Sequence, residues 1–215
     1  MTSIPMQRER ARVKPNVLAL DLGGVVYLSW PNDEFHRRWS ERCGCSPGLL
    51  AQQFWSGPHW ALAELGQITP DECFAQVAER VGIPRDMVRE VVVEAFASHP
   101  DEALARYVDG VRARGVTVAA LTNNCLREAE LFSMPELARL FDLAISSADS
   151  GLAKPDLAFY RHAEARLGAH GDKVVFLDDV SINVDGAREL GWRAFQFTTT
   201  ADAMKDVEAA LFEGP

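Results

Sequence analysis

Several short apolar runs in this chain end in residues able to handle a phosphoryl group or a divalent cation. The first ends at Asp21, followed by Leu22-Gly23-Gly24-Val25. A carboxylate leaving a buried parallel strand sits where open α/β sheets form their ligand crevice, and it could equally begin a turn. Gly23 and Gly24 allow the backbone to turn tightly and approach a bound group. Another run ends in Thr122-Asn123-Asn124. Its hydroxyl and two amides could donate to phosphate oxygens, or cap a helix. A later run ends in Asp178-Asp179, with Asn183 four positions on. Adjacent carboxylates emerging from an apolar strand are costly unless they are solvated or hold a cation. With Asp21 they would supply hard oxygen ligands suited to Mg²⁺. Before a helical pattern stands Lys154-Pro155. Pro155 is expected at the first helical position, which places Lys154 beside free amides that suit an anion, or else leaves it a solvated surface lysine.

The elements that position these residues follow from hydrophobic periodicity. Apolar runs at 17–20, 116–121, 143–145, 174–177 and 194–197 are nearly continuous, as in strands covered on both faces. Helical patterns such as Leu157, Tyr160, Ala163 and Leu167 separate the later runs. Strand–helix alternation of this kind predicts an α/β fold with a doubly wound parallel sheet. The long stretch between the first two runs reads as helix. Thr69-Pro70-Asp71-Glu72 is a capping-box pattern that launches Cys73, Phe74, Val77, Ala78 and Val81. Further helices are expected after Pro84 and after Pro100, the latter stopped by Gly115. The expected division is therefore a core of residues 16–27 and 99–215, with an α-helical cap at 28–98 inserted after the first strand. Trp55, His59 and Trp60 lie in the insert beside Gly57-Pro58, as packing residues or as a pocket wall. His36, His99, His162 and His170 have no metal-ligand spacing, and no role is assigned to them.

Composition narrows the partners. The 215-residue chain carries a net charge of −9, which repels nucleic acid and anionic membrane. A phosphorylated substrate therefore needs local positive charge at its site. No apolar run approaches the roughly 20 residues that cross a bilayer. Residues 1–15 are basic, with Arg8, Arg10, Arg12 and Lys14, and lack the apolar segment of a secretory signal. They read as a solvated mobile arm. Cys43, Cys45, Cys73 and Cys125 form no zinc pattern and fit reduced thiols in a cytoplasm.

Taken in order, these motifs resemble those of the haloacid-dehalogenase-like superfamily over residues 16–200, in its capped first subfamily. Asp21, Thr122, Lys154 and Asp178-Asp179 match its four motifs. The resemblance implies a Rossmann-like sheet of order 3-2-1-4-5 and attack by Asp21 on phosphorus, with water hydrolysing the aspartyl-phosphate. It implies Mg²⁺ held by Asp21, the Gly23 carbonyl and the Asp178-Asp179 pair, with Asp179 the direct ligand and Asp178 its partner or a ligand through water. Thr122 and Lys154 would neutralise the phosphoryl oxygens. Gly24, Asn123 and Asn183 complete the expected substrate-binding set, with Asn183 alternatively orienting Lys154 or an acidic ligand.

The chain departs from the family at Gly23, where its phosphatases usually carry an aspartate as general acid and base. Loss of such an acid typically costs about 10²–10⁴ in rate. Three readings follow. The first is a phosphatase acting on a small phosphorylated metabolite. A sugar 1-phosphate fits, since its leaving group needs little protonation. The chain is similar to a bacterial branch containing sugar-1-phosphate phosphatases, and to the phosphatase domain of mammalian soluble epoxide hydrolase. The second is a 2-haloacid dehalogenase, against which Asp178 and Asp179 stand as like charges to the substrate. The third is a catalytically weak relative acting as a binding protein.

Overall fold

The computed structural model describes residues 16–28, 33–96 and 100–213. The arm read at 1–15 and the boundary near 98 lie outside the described residues. Five strands, β1 (Val17–Leu20), β2 (Thr117–Thr122), β3 (Leu143–Ser146), β4 (Val174–Asp178) and β5 (Arg193–Gln196), form one parallel sheet. Their order is β3-β2-β1-β4-β5, the order that the resemblance implies. Central β1 sets Leu20 beside Ala120 of β2 and Leu177 of β4. The three strand ends that carry the candidate residues therefore lie side by side.

Alternation across the pleat explains why the runs are continuous. Leu18, Leu20, Val118, Ala120, Val175 and Leu177 pack with Leu104, Val108 and Val111 of α6 (Glu102–Ala113). The intervening Val17, Ala19, Ala119, Val174 and Phe176 pack with Phe159, Tyr160 and Ala163 of α10 (Leu157–Leu167). Each fully buried valine, leucine or phenylalanine contributes about 1.5–3 kcal/mol, which holds the strand ends in register.

Among the described residues, five helices lie between β1 and α6: α1 (Asp33–Cys43), α2 (Pro47–Trp55), α3 (Pro58–Glu64), α4 (Pro70–Val81) and α5 (Arg85–Phe96). Proline opens α2, α3 and α4, where its missing N–H costs nothing. The capping box is present: Thr69 Oγ1 accepts the Glu72 N–H at 3.2 Å, and Glu72 returns a carboxylate to the Thr69 N–H at 2.8 Å. These helices enclose their own core of Trp39, Leu50, Phe54, Trp60, Val77, Val88 and Val91. Cys125, from the loop after β2, joins that core and ties it to the sheet. Among the described residues the remaining α-helices are α7 (Glu128–Leu131), α8 (Pro135–Leu140), α9 (Ser147–Ser150), α11 (Ser181–Glu189) and α12 (Thr200–Glu208). Among the described residues, no helix is long and apolar enough to cross a membrane.

One expectation is corrected. Pro155 does not open a helix; α10 begins at Leu157, capped by the Asp156 carboxylate on the Ala158 N–H at 2.9 Å. The Asp156 carboxylate is the better cap, so the helix starts later and Lys154 lies in the preceding turn.

Candidate active site

Asp21 stands at the end of β1, where its N–H still donates to the Leu177 carbonyl of β4 at 2.9 Å. That bond fixes the residue as a continuation of the strand. Its Oδ1 accepts the Leu22 N–H at 2.8 Å and pairs with Lys154 Nζ at 2.9 Å. Oδ2 has no hydrogen-bond partner among the described residues. The chain then turns sharply: the Gly24 N–H donates to the Tyr27 carbonyl at 3.1 Å, with Gly24 at φ +73°. A Cβ at Gly24 would lie 2.4 Å from Asp179 Oδ2. Glycine is required there for both its φ and its close approach to a carboxylate.

Lys154 is buried beneath the strand ends. Its ammonium donates to the Leu121 carbonyl at 2.9 Å and to Asp178 Oδ2 at 2.7 Å, besides pairing with Asp21. A buried cation is tolerable only with partners of this kind. Burial works against the charge, but Asp21 and Asp178 outweigh it and hold the amine above its usual range. Asn123 fixes the lysine backbone: its Nδ2 donates to the Lys154 carbonyl and its Oδ1 accepts the Lys154 N–H, both at 2.9 Å. The side-chain amide expected to meet phosphate is thus occupied in shaping the lysine turn.

Asp178 is fully buried, and hydrogen bonds compensate that cost. The Val180 N–H reaches Oδ1 at 2.9 Å, and Asn183 Nδ2 reaches Oδ1 and Oδ2 at 3.0 and 3.1 Å. Tyr160 holds the far side of Asn183 through its hydroxyl, which donates to the Asn183 carbonyl at 2.7 Å. Of the two expected roles for Asn183, this geometry matches orientation of an acidic residue. Asp179 is exposed as a residue, yet partial desolvation of its carboxyl against the strand ends, together with neighbouring Asp178, raises its pKa. Burial pushes Asp21 up to about 7, with Lys154 opposing the rise and Asp178 adding to it.

Carboxylate oxygens of Asp21, Asp178 and Asp179 lie within 4.8 Å of one another. Three hard oxygen donors on adjacent strand ends fit a small divalent cation such as Mg²⁺, which favours few carboxylates and completes its shell with other oxygens. Above them is a cavity of about 260 Å³, lined by Asp21, Gly23, Thr122, Asn123, Lys154, Asp179 and Asn183 from the sheet side. Trp55, Trp60 and Glu64 line it from α2 and α3. His59 does not line it; the ring is buried, with Nε2 2.6 Å from the Gln53 carbonyl.

Two features were not read from the sequence. Ser147 Oγ accepts the Asn124 N–H at 3.0 Å and Ser146 Oγ donates to the Leu126 carbonyl at 2.6 Å, so the end of β3 and the start of α9 brace the loop that follows Thr122. Glu64 enters the cavity from the insert, with Oε1 accepting the Trp60 Nε1–H at 3.1 Å. A lone acid one turn after a tryptophan was the available signal.

Comparison with known proteins bears on this arrangement. A family model described as haloacid dehalogenase-like hydrolase matches residues 16–191. The chain belongs to the haloacid dehalogenase-like hydrolases. This hydrolase is similar to Phosphatase MT3486 of Mycobacterium tuberculosis, with 36% identity over 77% of this chain and 72% of the relative. It is 28% identical to Bifunctional epoxide hydrolase 2 of Mus musculus over 89% of this chain, but spans only 38% of that protein. A solved haloacid dehalogenase-family enzyme from Bacteroides thetaiotaomicron, in complex with magnesium and inorganic phosphate, superposes with a TM-score of 0.68. It is 18% identical, covering 87% of this hydrolase and 96% of that chain, and this likeness concerns the fold.

Proposed function

We propose that this hydrolase is a Mg²⁺-dependent phosphatase that cleaves a small phosphate monoester through an aspartyl-phosphate on Asp21. The observation that carries the reading is the convergence of Asp21, Asp178 and Asp179 within 4.8 Å, with the Lys154 ammonium 2.9 Å from Asp21. The magnesium–phosphate complex of the Bacteroides neighbour and the phosphatase relative from Mycobacterium support it.

Asp21, the Gly23 carbonyl and Asp179 would hold the cation, with Asp178 as partner to the set. When bound, Mg²⁺ supplies positive charge against the phosphoryl oxygens. Lys154 adds a second positive charge, and with Oδ1 of Asp21 held by Lys154 and Leu22, Oδ2 is the oxygen left to attack phosphorus. Thr122 and the backbone around Gly24 and Asn123 receive the phosphoryl oxygens. Asn183 acts through Asp178, holding its side chain in the position that fixes Lys154. The helical insert at 28–98 serves as a cap that limits water and selects the substrate. Trp55 and Trp60 give that wall flat apolar faces, which suit a sugar phosphate.

A 2-haloacid substrate would meet Asp178 and Asp179 with its own negative charge, which disfavours dehalogenation. The test is phosphate release from p-nitrophenyl phosphate and a panel of sugar phosphates, with Mg²⁺ or with a chelator. Turnover that needs Mg²⁺ is expected. Halide release from 2-haloacids without metal, or no turnover on either panel, would overturn the reading.

A further inference from the structure

The proposed phosphatase reading leaves the leaving-group proton without a source, because Gly23 stands where an acid would be expected. In phosphoryl transfer the attacking and leaving oxygens lie roughly in line on opposite sides of phosphorus. Asp21 attacks from the strand ends, so the leaving oxygen must point toward the insert. Among the described residues that line the cavity, the carboxyls are Asp21, Asp179 and Glu64. The first two belong to the acidic cluster on the sheet, and only Glu64 comes from the insert.

Glu64 is also held in place. Its Oε1 is fixed by the Trp60 indole N–H at 3.1 Å, one turn earlier on α3, which leaves Oε2 for a second partner. Just beyond it, Gly66 runs so close to α9 that a Cβ would lie 2.3 Å from the Ala148 carbonyl. That contact docks the end of α3 onto the core.

We propose that Glu64 is the catalytic acid and base of this enzyme, acting from the cap side in place of the residue missing at Gly23. This rests on the phosphatase reading. In the first step an Asp21 oxygen bonds to phosphorus, the phosphorus–oxygen bond to the leaving group breaks, and the Glu64 carboxyl gives its proton to that oxygen. The alcohol departs and Glu64 is left as a carboxylate. In the second step water bonds to phosphorus, Glu64 takes the water proton, and the bond to Asp21 breaks. Inorganic phosphate leaves, and both carboxyl groups return to their starting forms.

The surroundings favour the protonated form that the first step needs. Burial raises the Glu64 pKa, while the Trp60 hydrogen bond and Lys154 moderate the rise. The titratable groups that interact electrostatically with Glu64 are Lys154 of the turn before α10, Cys73 of α4 and Cys125 of the loop after β2.

The test uses p-nitrophenyl, phenyl and benzyl phosphate, which share a ring but differ in leaving-group acidity. Their kcat/KM reports the steps through departure of the leaving group. Glu64→Gln is expected to lower kcat/KM about 10²-fold or more on benzyl phosphate, and only a few-fold on p-nitrophenyl phosphate, whose leaving group needs no proton. Trp60→Phe removes a hydrogen bond to the carboxylate, so it should move the alkaline limb of the benzyl phosphate profile to higher pH. A uniform loss across the three esters in Glu64→Gln, or an unmoved limb in Trp60→Phe, would overturn the assignment. Wild-type protein inactive on all three with Mg²⁺ would instead sink the phosphatase reading itself.

Discussion

Lys154 Nζ lies 2.7 Å from Asp178 Oδ2, with the two side chains only 1% and 0% exposed. The same ammonium reaches Asp21 at 2.9 Å, so one buried cation organises both the candidate nucleophile and the acidic strand end. Removing one partner of such a pair leaves an uncompensated buried charge.

Lys154→Met should therefore abolish turnover and also destabilise the fold by about 3–5 kcal/mol. Urea unfolding of the variant checks this. Unchanged stability would mean that water or another cation replaces the ammonium.

Asn183→Ala removes an amide that bonds both oxygens of Asp178. Hydrogen bonds to charged groups contribute about 1.5–3 kcal/mol, so a loss of that size is expected in unfolding experiments. Activity should fall mainly in kcat, because Lys154 and Asp178 lose their fixed geometry while the phosphate donors remain. A change confined to KM would argue that Asn183 touches substrate directly.

The parallel sheet was legible because β1, β2 and β4 are buried on both faces, which writes continuous apolar runs into the chain, whereas its strand order came from the family resemblance alone. Caps such as Thr69 are local, and they too were readable. The candidate site was legible in residue types but less so in partners. Asn123 spends its amide on Lys154, 31 positions away, a contact that no local pattern encodes. Pro155 satisfies the pattern of a helix start next to Lys154, whereas Asp156 is the actual cap. Glu64 escaped notice because its meaning depends on how α3 docks against the sheet, through Gly66 and Ala148.

Gly24→Ala tests the close approach of the first loop to Asp179. The added Cβ would stand 2.4 Å from Asp179 Oδ2 on a backbone with φ +73°. Asp179 must move, so the Mg²⁺ concentration for half-maximal activity should rise about 10–100-fold, the range seen when a metal site loses its supporting geometry. Titration of activity with MgCl₂ measures it, and an unchanged requirement would place the metal away from Asp179.

Stability should depend on pH through Asp21, whose pKa rises from 3.8 to about 7 in the fold without metal. Between those values the folded protein holds a proton that the unfolded chain has released. Stability of the metal-free protein therefore declines as pH rises through that window and levels off above it. Mg²⁺ competes with the proton, so its stabilisation should be larger at about pH 8 than at about pH 5. Thermal melts with MgCl₂ or a chelator read this directly. Equal Mg²⁺ shifts at both pH values would contradict it.

Asp21 is proposed to carry the phosphoryl group during turnover. Acid quenching during turnover of p-nitrophenyl phosphate with Mg²⁺, followed by peptide mass spectrometry, tests it most directly. A phosphoryl adduct on the peptide containing Asp21, absent without Mg²⁺ and absent in Asp21→Asn together with all turnover, is the predicted result. Phosphate release that persists in Asp21→Asn would rule out Asp21 as the phosphoryl carrier.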